Sequence, residues 1–168
     1  YSGYERKEAN ASGGGYPEYY DLMQTMAQVG VEQGCGRAMW EYEKELDRYG
    51  TPMAPMLLPH WTDGCIGSME GLYFEASSTT PYHFLNQSEL STAPSRAQRD
   101  LPYRNFDIDA GISHLQLLGV RYYLAFSTQA VDAAEQHPDL TEVATSGPWH
   151  VYEVADSELV TPLTNEPA

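Results

Sequence analysis

The sequence predicts an α/β domain: a three-layer-like mixed sheet with flanking helices and a long irregular insertion over about 60–105. Three observations carry this prediction. Helix-period and strand-period segments alternate along the chain, which argues for a central sheet with helices packed on it. The run Val120 to Phe126 (VRYYLAF) is dense in β-branched and aromatic residues, as a buried strand requires. Two short strands then follow each other near the carboxyl end, so the sheet is mixed rather than purely parallel.

Pro17 suits the first turn of a helix. Tyr19, Leu22, Met23 and Met26 then fall at i, i+3, i+4 and i+7, and Gly30 stops the run, so a helix is expected over about 18–29. Gly34-Cys35-Gly36 turns the chain into an alternating stretch, 37–42, that reads as a strand. Residues 43–50 suit one polar helical turn. Residues 53–58 (MAPMLL) are apolar but carry Pro55, which suggests a short strand at a sheet edge. Residues 65–105 are rich in Gly, Ser, Thr, Asn and Pro, with only a short helix or strand suggested near 69–75. Asp107 is a good N-cap for a helix whose face is Ile108, Ile112 and Leu115, closed by Gly119. Ser127 or Thr128 caps a further short helix ending before Pro138. Strands are expected at 140–145 and 148–154, joined across Ser146-Gly147. Residues 1–15 and 161–168 read as a flexible tether and a tail, leaving 16–160 as the single domain.

The 168 residues fit one domain and can bury a sizeable core. Nine basic residues against 24 acidic ones give a net charge of −15. Such a surface repels phosphate backbones and anionic head groups, so nucleic-acid binding and electrostatic membrane docking are disfavoured. A halophilic or secreted context suits this charge. No 18-residue apolar run offers a membrane span. The chain opens at Tyr1 without Met, as a processed protein or an excised piece would. The two cysteines, Cys35 and Cys65, lie in Gly-flanked loops without a CxxC spacing. From the residues alone they either form one disulfide in an oxidising compartment or remain two free thiols.

No complete catalytic constellation is present. Gly13-Gly14-Gly15 has no preceding strand and no phosphate-loop spacing, and Gly67-Ser68-Met69-Glu70-Gly71 lacks the context of a nucleophile elbow. There is no HExxH and no calcium loop, so no metal and no cofactor is expected. The richest segment is 60–84. It combines His60, Trp61, Tyr73, Phe74, Tyr82, His83 and Phe84 with Asp63, Glu70 and Glu75. Aromatic faces stack on sugar C–H surfaces and carboxylates accept from hydroxyls, so this composition fits carbohydrate. The candidate contacts are His60, Trp61, Asp63, Glu70, Tyr73, Glu75 and His83. Packing of a long segment onto the sheet would use the same aromatics. Two further readings are a secreted hydrolase using Glu70 and Glu75 as its carboxylate pair, and a purely structural interaction module.

Two stretches carry a family resemblance. Leu117-Leu118-Gly119-Val120-Arg121-Tyr122-Tyr123-Leu124-Ala125 is followed by Gly147-Pro148-Trp149-His150-Val151-Tyr152-Glu153-Val154. Upstream stand Tyr16-Pro17-Glu18-Tyr19, Gly36-Arg37-Ala38-Met39-Trp40-Glu41 and Leu57-Leu58-Pro59-His60-Trp61. Over about 16–155 the chain resembles the extracytoplasmic domain of large bacterial multi-spanning membrane proteins with a GT-C glycosyltransferase-like core. These include actinobacterial ones labelled 6-pyruvoyl-tetrahydropterin-synthase-related. The resemblance implies an extracytoplasmic location at the cell envelope and favours a Cys35–Cys65 disulfide. It implies the membrane-embedded part of the same polypeptide as partner, with glycan or lipid-linked sugar as ligand. It carries over no catalytic residue, because the catalytic acid of GT-C enzymes usually lies in the membrane part. No three-His pattern supports the pterin label.

Overall fold

The computed structural model describes residues 15–69, 80–158 and 160. The expected tether and tail lie outside these, except Gly15, which opens the first helix. Helix α1 spans Gly15–Glu32, longer at both ends than its apolar stripe predicts, and buries Tyr19, Leu22, Met23, Met26 and Val29. Strand β1 (Gly36–Trp40) follows. The polar turn is a 3-10 helix, Lys44–Tyr49, closed by Gly50 in the left-handed region at φ 97°.

The strand expected over 53–58 does not form. A second 3-10 turn, Ala54–Leu57, runs directly into the short helix α2, Leu58–Trp61. Pro55 and Pro59 each sit in the opening turn of one of these pieces, where a missing N–H costs nothing. The expected irregular insertion is also more ordered than its composition suggests. It holds strand β2 (Ile66–Ser68) and helix α3 (Thr80–Leu90). The helix escapes the periodicity argument because much of what it buries is polar. Asn86, Gln87, Ser88 and Glu89 are at most 2% exposed.

Helix α4 (Ile108–Leu117) starts as expected, with Asp107 accepting from Ala110 N at 3.1 Å. Strand β3 is Tyr122–Ala125, and α5 is Thr128–Gln136, capped by Ser127 accepting from Ala130 N. Strands β4 (Leu140–Ser146) and β5 (Trp149–Val154) form the expected hairpin. Its turn is Gly147-Pro148, one residue further along than the sequence suggests. Gly147 supplies the positive φ, 56°, that a type II′ turn needs at its first central position.

The sheet order is β2-β1-β3-β5-β4. Strands β2, β1 and β3 are parallel, and β5 and β4 are antiparallel to their neighbours. Period-two alternation sends side chains to two separate cores. Ala38, Trp40, Tyr122, Leu124, Trp149 and Val151 pack on α1 and on Leu46, Ala54 and Leu58. Met39, Tyr123, Ala125, Tyr152 and Val154 pack on the opposite face, against Ile112 and Leu115 of α4 and Ala130 and Ala134 of α5. The result is three layers, as the sequence predicts.

The interior is rich in tyrosine, which gives the fold an alkaline limit. Burial raises the phenol pKa of Tyr19, Tyr49, Tyr122 and Tyr123, and takes that of Tyr152 up to about 12. An unfolded tyrosine loses its proton near pH 10, before the folded one does. The unfolded state therefore binds fewer protons above pH 10, and stability falls as pH rises from there. Absorbance at 295 nm should show these phenols resisting ionisation past pH 10, then titrating together as the chain unfolds. Free titration of every tyrosine near pH 10 with the fold intact would contradict this.

Candidate functional site

In open α/β sheets the natural ligand crevice lies at the carboxyl ends of adjacent parallel strands whose connections leave towards opposite faces. Here those strands are β1 and β3. The chain after β1 enters the 3-10 turns on the α1 side, and the chain after β3 enters α5 on the other. The sequence puts Glu41 directly after β1 and Phe126-Ser127 directly after β3.

Glu41 is fully buried. Its Oε2 accepts from the backbone N–H of Phe126 and of Ser127, each at 2.8 Å. Its Oε1 accepts from Ser127 Oγ at 2.7 Å and, more loosely, from Thr92 N and Oγ1. A carboxylate of the chain itself thus occupies the anion seat that a helix N-terminus offers. Above it, Arg48 is already engaged by Glu18 at 2.5 Å and Glu45 at 2.6 Å, and lies over the rings of Tyr49 and Phe126. Glu41 floors the crevice, and the 520 Å³ cavity beside Arg48, Phe126 and Ser127 is rimmed by Glu18, Glu43 and Glu45, so it suits no phosphate or carboxylate ligand.

A second feature is on the surface. Tyr16 and Tyr20 stand one turn apart on α1, turned away from the core and 56% and 40% exposed. Their ring centroids are 6.0 Å apart. Trp61, at the end of α2, meets Tyr20 edge-on at 5.6 Å and Tyr19 at 6.0 Å. His60, exposed, adds a fourth ring 6.0 Å from the half-buried Trp61. Asp63 follows two residues on, exposed, with a left-handed φ of 49° that short polar side chains tolerate. Tyr16, Tyr20, His60 and Trp61 together form an aromatic platform beside a carboxylate.

Of the sequence-predicted contacts, His60, Trp61 and Asp63 lie at this platform. His83 does not. It is 4% exposed in α3, packed by Trp40 at 6.4 Å and Phe84 at 5.1 Å. Glu70, Tyr73 and Glu75 lie outside the described residues. The reading from sequence missed Tyr16 and Tyr20, whose i, i+4 spacing opposite the apolar stripe is the signal for an outward pair. It also missed Glu41, whose partners come from Thr92 and Ser127, far along the chain.

Two other features lie elsewhere on the molecule. A cavity of 520 Å³ lies between α3 and α4, walled by Tyr82, Leu85 and Leu117. Glu89 sits at it, nearly buried, paired with His114 at 2.6 Å and Arg104 at 3.6 Å. Among the described residues, those able to gather round a metal are Glu135, Glu142 and His150, with ligand atoms within 4.8 Å of one another.

Cys35 and Cys65 form a disulfide, with Cα atoms 4.7 Å apart. The cause is register: Gly36 pairs with Ile66, so the residues just before them face each other across β1 and β2. Bonds of this kind persist in oxidising compartments. Among the described residues, no helix is long and apolar enough to cross a membrane. Comparison with protein-family models, curated proteins and solved structures finds no match for this chain.

Proposed function

We propose that this chain is the extracytoplasmic, non-catalytic domain of a membrane-anchored, glycosyltransferase-like envelope protein. It holds a glycan or lipid-linked sugar against the platform of Tyr16, Tyr20, His60 and Trp61. The platform is the observation that carries this reading. Exposed rings offer the apolar faces that stack on sugar C–H surfaces, and Asp63 offers an acceptor for hydroxyls. The disulfide supports the compartment. The crevice after β1 and β3 supports a binding rather than a catalytic role, since the Glu41 carboxylate at its floor is tied up by Phe126 and Ser127.

The test is a thermal-shift screen of the domain against a panel of envelope glycans. One glycan class at 100 times its Kd should stabilise the fold by about 2.7 kcal/mol. Tyr20→Ala should abolish that shift while leaving the unliganded midpoint almost unchanged, because Tyr20 is exposed. Trp61→Ala is the poorer probe, since its ring also packs on Tyr19. Of the three tryptophans, Trp40 and Trp149 are fully buried, so the fluorescence change on binding should come from Trp61. A shift retained by Tyr20→Ala, or none with any glycan, would leave the domain as a packing module for its membrane partner.

A further inference from the structure

We propose that Glu135, Glu142 and His150 form a binding site for one divalent transition-metal ion of the zinc type. The site is independent of the aromatic platform. It draws one side chain from each of three consecutive elements: α5, β4 and β5. No short motif can announce such a set. The hairpin register places Glu142 opposite Tyr152, and the ladder slips between Glu142 and Ala144. Bulges of this kind re-aim side chains. His150 Nδ1 lies 2.6 Å from Glu142 Oε2, and all three ligand atoms fall within 4.8 Å of one another.

Tyr152 is the second observation, and it does not depend on the three ligands. It is 1% exposed, yet its hydroxyl has no hydrogen-bond partner. Glu142 is its register partner across the hairpin, so the phenol stands on the same face of the sheet as the cluster. His150 lies flat over it, with ring planes 16° apart. A buried hydroxyl without a partner is costly, and so is holding the carboxylates of Glu135 and Glu142 this close together. A divalent cation relieves both. It neutralises Glu135 and Glu142, and its bound water gives Tyr152 an acceptor, the usual outer-shell arrangement.

The donor set selects the ion. One imidazole and two carboxylates suit zinc, cobalt, nickel or manganese, whereas calcium and magnesium prefer all-oxygen sites. Three protein ligands leave a coordination position for water. The ion replaces any proton shared between His150 and Glu142, so binding weakens under acid.

Isothermal titration of the EDTA-treated 168-residue chain with zinc chloride tests this directly. The expected result is one zinc per chain, with calcium chloride giving no comparable heat. His150→Gln and Glu142→Gln should each weaken zinc at least about tenfold without lowering the metal-free melting temperature, since both side chains are partly exposed. Tyr152→Phe should weaken zinc while keeping the one-to-one stoichiometry. Zinc binding unchanged in His150→Gln would assign the ion to another histidine and overturn the proposal. No zinc binding, or calcium in preference to zinc, would overturn it as well.

Discussion

Glu41→Ala should destabilise the domain by about 3–5 kcal/mol. The carboxylate is the shared acceptor for Phe126 N, Ser127 N and Ser127 Oγ. Its removal leaves two part-buried backbone donors without a protein partner, each costing up to about 1–3 kcal/mol. It also loosens the tie between the ends of β1 and β3 and the start of α5. Because whole domains are stable by only about 5–15 kcal/mol, the variant should unfold at a much lower urea midpoint. Glu41→Gln should fall between the two, since its single amide oxygen cannot serve both sides. Glu45→Ala, at an exposed position, is the control. A midpoint for Glu41→Ala close to wild type would mean that water replaces the carboxylate, and that the crevice is open to ligand after all.

The disulfide supplies the second large effect. Cys35 and Cys65 close a loop with a sequence separation of 30, and both cysteines are bonded. On the loop-closure model, cross-linking a loop of that size contributes about 3–4 kcal/mol. The double variant Cys35→Ser/Cys65→Ser should therefore melt roughly 10 °C lower. A reductant should lower the wild-type midpoint by a similar amount and leave the double variant unchanged. If the reductant moves neither protein, the bond is dispensable to the fold and loses its value as a mark of compartment. If it moves both equally, the effect does not come from this bond.

Much of the architecture was legible in the sequence, and the reason differs from element to element. Asp107 and Ser127 announce their helices because capping is a local interaction, settled within three residues. Strand β3 announces itself because both its faces are buried, so it reads as one apolar run. Helix α3 does not, because it buries Asn86, Gln87, Ser88 and Glu89, and an apolar pattern cannot reveal a polar interior. Residues 53–58 misled in the opposite sense: their apolar run reads as a strand, while Pro55 within it and Pro59 just after it open helical turns. The sites divide along similar lines. His60, Trp61 and Asp63 are close in sequence and draw attention together. Tyr16 and Tyr20 join them only once α1 lies beside α2. Glu135, Glu142 and His150 meet only once the hairpin has folded back under α5.

The two borders of the sheet bear on how this domain behaves among its own copies. An unpaired edge is a template for a strand from another molecule. Strand β2 offers only three residues, Ile66–Ser68, held at their start by the disulfide. Strand β4 is longer, but its ladder slips at the bulge, and Thr141, Glu142 and Thr145 face solvent along it. Neither border presents a long, flat row of free donors and acceptors. Many copies held close together could therefore stay separate molecules, with their strongly negative surfaces adding mutual repulsion.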